Sequence, residues 1–130
     1  MAGTTSQKYS NIVFSRIQAN VNAISDPKVL KQYKGLCKRS GGVLRTVGLI
    51  QYLAFLKAKS SKYKHYELLL KDLTRECENN DNADAFMEKV RGMSLSDYMQ
   101  CTRRTLLLLQ WHKRVSDILI EGNCESGEDD

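Results

Sequence analysis

Two histidines, four cysteines and the aspartates Asp81 and Asp84 are the residues of this 130-residue chain best equipped for chemistry. A zinc site needs cysteine and histidine ligands in closely spaced pairs. Cys37, Cys77, Cys101 and Cys124 form no CxxC knuckle, and His65 and His112 have no cysteine at ligand spacing. Asp81 and Asp84 lie in the run NNDNAD, whose composition is that of a turn followed by a helix cap. Gly41-Gly42 follows no strand and precedes no GK[ST], so it is not a phosphate loop. No nucleophile stands beside a base within one motif. His112, at the apolar edge of its helix, is expected as a buried, hydrogen-bonded core residue. The expectation is a chain that is not an enzyme and holds no metal or cofactor.

What remains is a cationic surface. The formal charge is +5, and its distribution is uneven. Residues 1–66 carry twelve Lys/Arg against one acid, Asp26, giving +11, while residues 67–130 carry eight against fourteen, giving −6. No acid occurs from Pro27 to Tyr66. Like charges gathered in one half of a compact chain repel, and an anionic partner relieves that repulsion. Lys and Arg contact phosphates without reading sequence, so affinity with little specificity is expected. The set expected to contact nucleic-acid phosphates is Lys38, Arg39, Arg45, Lys57, Lys59, Arg103, Lys113 and Arg114. Tyr33, Tyr52, Tyr63 and Tyr66 stack on bases or pack in the core with the hydroxyl reaching water.

These side chains need helices to position them. With one proline and almost no apolar–polar alternation, the chain is expected to be an all-α single-domain bundle of about six helices over residues 1–120. Residues 1–6 are expected to fray. The first helix is expected over about 7–24, with Tyr9, Ile12, Val13, Ile17, Val21 and Ile24 inward. Asp26-Pro27 opens a second helix that presents Lys28, Lys31, Lys34 and Lys38 outward. Gly41-Gly42 is expected to stop it near Arg39. Gly41 to Lys59 then reads as a central helix, apolar most of the way round, with one strip of Arg45, Gly48, Tyr52 and Lys59. Gly48 inside that helix implies close approach by another helix or a phosphate. Ser60 or Ser61 is expected to cap a fourth helix to about Glu78, and Asp81 or Asn82 a fifth that ends at Gly92. Ser94 followed by Asp97 has capping-box spacing and opens a sixth helix to about Glu121. On that helix Leu107 falls among Arg103, Gln110 and Arg114 and is expected at the surface. The run EGNCESGEDD carries five acids and no base, and reads as a disordered acidic tail over 121–130. The polar start and the lack of any membrane-length apolar run point to a cytoplasmic protein with reduced thiols and no membrane contact.

The segment Gly48-Leu49-Ile50-Gln51-Tyr52-Leu53-Ala54-Phe55-Leu56 resembles the GLxQxLAFL signature of the small helical subunit of type III-B CRISPR (Cmr) effector complexes. The likeness continues in Lys57 and Lys59, then in Tyr66 followed by Leu69, Leu70 and Leu73. It returns in Asp97-Tyr98, in Thr102-Arg103, and in Leu107 to Arg114 with its Trp111-His112-Lys113-Arg114 close. The resemblance implies a subunit without catalytic activity that stacks on neighbouring copies of itself beside the backbone and large subunits. It also implies that basic residues track guide and target RNA in antiviral defence. The acidic run from Glu121 and the cysteine content fall outside the pattern.

Three competing functions stay open on the residues alone. A helical adaptor would use the basic face to dock an acidic protein. An enzyme would assemble its groups from distant residues. A DNA-reading helix-turn-helix would need a recognition helix that the sequence does not offer convincingly.

Overall fold

The computed structural model describes residues 4–122, and these form six α-helices without a strand. They are α1 (Thr5–Ala23), α2 (Pro27–Val47), α3 (Leu49–Ser60), α4 (Lys64–Glu78), α5 (Ala83–Arg91) and α6 (Leu95–Leu119). The acidic run beyond Gly122 lies outside the described residues. Most boundaries follow from local chemistry. Thr4 and Gln7 close a reciprocal capping box on α1, so Thr5 and Ser6 are helical and not frayed. The Asp26 carboxylate accepts from the Lys28 N–H at 3.0 Å, and Pro27 fills the first turn of α2. Asn82 caps α5 and Ser94 caps α6, each accepting from the backbone N–H three residues on. Tyr63, not a serine, is the N-cap of α4, and no side chain caps that end.

The break between α2 and α3 differs from the expectation. Helix α2 runs straight through Gly41-Gly42 and ends at Gly48. An interior glycine costs about 1 kcal/mol relative to alanine. Packing outweighs that cost, because Tyr33, Leu36, Cys37, Ser40 and Leu44 make one continuous buried stripe along α2. Gly48 adopts φ +85° and ψ 167°, a conformation closed to side-chain-bearing residues. A Cβ there would lie 3.7 Å from the Tyr98 hydroxyl, an ordinary contact, so conformation and not space demands the glycine. The Tyr98 hydroxyl then accepts from the Ile50 N–H at 3.2 Å and serves as the cap α3 otherwise lacks.

The expected central helix is therefore two helices, and its polar strip does not exist. Arg45 is in the last turn of α2, and Tyr52 is wholly buried on α3. Helix α3 buries Leu49, Leu53 and Leu56 against α4, α2 and α5, and leaves Ile50 and Ala54 outside. The centre of the bundle belongs to α2, which touches α6, α4 and α3, and to α4. Helix α1 covers α6 through Val13 and Ile17, while Ile12, expected inward, is exposed.

Helices α2 and α6 pair antiparallel. Gly48 lies by Tyr98 and Gly41 by Leu106, Cys37 meets His112, and Lys34 meets Ile120. Lys34, expected on the outer face, is buried by that last contact. Its Nζ donates to the carbonyls of Ile120 and Gly122, each at 2.9 Å.

The two glycine sites give opposite expectations. Gly42 has nothing within 4 Å of an added Cβ, so Gly42→Ala should raise stability by about 1 kcal/mol. Gly48→Ala should lower it by about 1–3 kcal/mol. Urea denaturation of both variants checks this; a reversed order would place the helix break at Gly41-Gly42.

Candidate nucleic-acid interface

On α2, Lys38 and Arg45 are seven residues apart and so share one face, with Gly41 and Gly42 between them. The glycines present no side chain, which leaves a trough between the two cations. Helix α6 supplies the opposite wall with Leu109, Gln110 and Lys113. The resulting groove holds about 300 Å³, and Arg39 and Cys37 complete its lining. No carboxylate is among the residues that line it. The Arg45 guanidinium lies back toward Gly41, with Nη1 3.8 Å from where a Cβ would be. Arg103 and Arg114 are exposed on α6, seven residues before and four after Gln110, and extend the cationic face along that helix.

The other expected site residues lie elsewhere. Lys57 on α3 pairs with Asp84 of α5 at 3.1 Å, both well exposed. Such a pair contributes at most about 1 kcal/mol. Lys59 stands over the Tyr63 ring, 5.7 Å from its centre, and Lys62 over the same ring at 5.4 Å. Tyr63 is half-buried, whereas Tyr33, Tyr52 and Tyr66 are buried and not placed to stack on bases. Leu107 is exposed among its arginines, as expected. A larger cleft of about 810 Å³ separates α1 from the end of α4, but its charges are mixed. There Arg75 pairs with Asp81, and Glu76 belongs to the wall.

Beneath the groove lies a polar cluster that residue spacing did not reveal. Asn20 of α1, Tyr33 and Cys37 of α2, Asp72 and Glu76 of α4 and His112 of α6 meet inside the bundle. The Tyr33 hydroxyl donates to the Asp72 carboxylate, and the Asn20 amide donates to both Asp72 oxygens at 3.0 and 3.2 Å. His112 Nε2 donates to Glu76 at 2.8 Å, and its Nδ1 lies 3.4 Å from the Tyr33 hydroxyl. His112 and Glu76 side chains are 0% and 1% exposed, so the pair is sealed from solvent. Burial pushes the Asp72 carboxyl up to about 6, although protonated His112 and the Tyr33 hydroxyl oppose the shift. Burial would lower His112, but the adjacent Glu76 carboxylate holds it well above its ordinary range. Burial also raises the Cys37 thiol, which leaves it a poor nucleophile at neutral pH. Among the described residues, no three His, Cys, Asp or Glu side chains could hold a metal ion. The cluster ties four helices together at the depth of the groove. It was hidden because its members come from four separate helices; only the inward register of Asn20, Asp72 and His112 hinted at it.

Comparison with known proteins follows the same helices. The model of the CRISPR-associated protein family Cas_Cmr5 matches residues 5–119. The chain belongs to the Cmr5 family. A solved CRISPR-associated Cmr5 family protein from Thermus thermophilus has the same fold, with a TM-score of 0.76 at 24% identity. The match covers 92% of this chain and all of that one. No curated protein matches the sequence. Cmr5 membership makes the chain a small structural subunit of the CRISPR Cmr complex. No helix among the described residues is long and apolar enough to cross a membrane.

The cluster makes stability depend on pH in a definite direction. Between about pH 4 and 6 the folded chain keeps a proton on Asp72 that the unfolded chain has released. That contribution to stability is present at low pH and falls as pH rises through the window. His112 acts the same way above its ordinary value. The stability of the wild type relative to Asp72→Asn should therefore fall from pH 4 to 6.5, as read by urea midpoints. A relative rise would contradict the burial of a protonated Asp72.

Proposed function

We propose that this Cmr5 subunit contacts guide and target RNA through the α2–α6 groove and carries no catalytic activity of its own. The observation that carries the reading is the groove itself. Lys38, Arg39, Arg45 and Lys113 face it, no acid lines it, and two glycines allow a phosphate backbone to come close. Arg103 and Arg114 continue the track along α6. Lys57 and Lys59 form a second, weaker contact beside Tyr63, because their charges are already engaged. Binding of this kind positions RNA and does not read bases.

Stacking on neighbouring copies has separate support. Helix α6 is 25 residues long, about 37 Å, and both of its ends expose apolar side chains. Leu95 and Met99 are 75% and 52% exposed at one end, and Ile118 is 67% exposed at the other. Beside Ile118 a groove of about 430 Å³ opens against Pro27 and Leu30. Two different apolar surfaces at opposite ends suit a head-to-tail contact that repeats without closing. The same assembly implies the cytoplasm as its location.

Single-stranded RNA binding measured against salt tests the reading. A slope of log K against log salt near −0.7 per phosphate is expected. Lys38→Ala, Arg45→Ala and Lys113→Ala should each weaken binding several-fold on every sequence, and Lys57→Ala by less. Gly42→Ala should weaken RNA binding while it raises stability, because it fills the trough. A flat salt dependence, or loss on one sequence alone, would contradict a phosphate-contacting groove. An Ile118→Asp chain should sediment without self-association where the wild type associates.

A further inference from the structure

A second site lies on the opposite edge of the bundle from the groove. The four longest helices pack in the ring α1–α6–α2–α4, and α1 meets α4 only lightly. The cleft of about 810 Å³ opens along that loosely closed edge. Its volume lies within the roughly 300–1,000 Å³ of small-ligand sites. We propose that this cleft binds a ribonucleotide through its 5′-phosphate and its free 2′,3′-diol. Two sources carry that chemistry: a free 5′-nucleotide and the 3′-terminal nucleotide of an RNA strand. The cleft shares no residue with the α2–α6 groove, so the two sites stand or fall separately.

One wall is a face of α1. Asn11 and Ser15, and Ile12 and Arg16, are four residues apart and line the cleft together. Arg16 is half-buried, yet among the described residues it has no ion-pair or hydrogen-bond partner. Such a cation attracts an anion, and its planar fork matches phosphate oxygens. The other wall is the end of α4 and the turn after it. Asn79 turns the chain with φ 60°, and the Asn80 side chain holds the turn by accepting from the Asn82 N–H at 2.8 Å. Asp81 is thereby set against Arg75, whose Nε and Nη2 each donate to one carboxylate oxygen, the second at 2.6 Å. An ionised carboxylate has about four lone-pair sites, and this fork occupies two of them. One site remains on each oxygen, and two adjacent acceptors suit the two donors of a cis-diol. Hydrogen bonding from Arg75 holds the Asp81 carboxyl below its ordinary range, with Lys71 and Arg16 adding to the effect, so it is ionised at neutral pH. Exposed Ile12 offers the base an apolar face. An acidic peptide would satisfy Arg16 but bring a like charge against Asp81.

The test titrates the full chain with 5′-AMP in about 50 mM salt and follows the side-chain resonances of Asn11, Arg16 and Asn79. They should shift and saturate at lower AMP than those of Lys38, Arg45 and Lys113. Adenosine and 2′-deoxy-AMP each lack one of the contacts and should bind about tenfold more weakly. Arg16→Ala should weaken AMP binding about tenfold at an unchanged urea midpoint. Asp81→Ala should erase the preference for AMP over 2′-deoxy-AMP and tighten inorganic phosphate, because Arg75 is freed. A tetranucleotide RNA with a free 3′-diol, compared with its 3′-phosphorylated form, distinguishes the sources. Tighter binding than AMP by the free-diol form alone supports the strand end, and tighter binding by AMP supports the free nucleotide. Equal binding of AMP, 2′-deoxy-AMP and inorganic phosphate overturns the proposal, because it reduces the cleft to a bare anion site. AMP shifts confined to the groove also overturn it. So do cleft shifts by tetraglutamate that match those by AMP, because they assign the cleft to an acidic protein segment.

Discussion

The antiparallel packing of α2 on α6 is the constraint on which the other features depend. It begins where Tyr98 reaches the Gly48 corner and ends where Lys34 holds the last carbonyls after α6. Between these ends it sets Lys38 and Arg45 opposite Lys113, with the glycine pair between them. At its middle, His112 passes under the groove to meet Glu76, while Tyr33 and Asn20 hold Asp72. Removing one partner of a sealed ion pair leaves an uncompensated buried charge, which costs about 3–5 kcal/mol. The polar cluster therefore fixes how the four helices meet more firmly than apolar side chains, which tolerate repacking.

Much of the fold was legible because its signals are local. Asp26-Pro27, Asn82 and Ser94 act on backbone groups two or three residues away, so their meaning survives without tertiary context. The α2–α3 corner was misread because glycine has two opposite uses. It permits a positive φ at Gly48, and it removes a side chain at Gly41 and Gly42 while the helix continues. Nothing local separates the two; the buried stripe that carries α2 past Gly42 is matched by α6, some sixty residues further on.

The site was legible in kind but not in place. An acid-free block from Pro27 to Tyr66 marks a cationic surface. It does not say which cations share a groove. Lys34 has the spacing of an exposed residue, yet its partners are carbonyls 86 and 88 residues later. Lys57 stands beside the most recognisable segment of the chain, yet it pairs with Asp84 on α5. Most of that segment is core, with Leu49, Tyr52, Leu53 and Leu56 buried, so it identifies the family and says little about the proposed RNA contact.

For a Cmr5 subunit this arrangement divides the surface by task. The apolar ends of α6 suit protein neighbours, and the flank between them suits a polyanion. Both come from one helix, so under the proposed stacking and RNA contact the register of the copies would also set the register of the RNA. Photo-cross-linking of RNA to the assembled complex, followed by mapping of the adducts, tests this most directly. Adducts at Lys38, Arg45 and Lys113 are the expected result. Adducts confined to Lys59, Lys62 and Tyr63, with the groove unmarked, would contradict it.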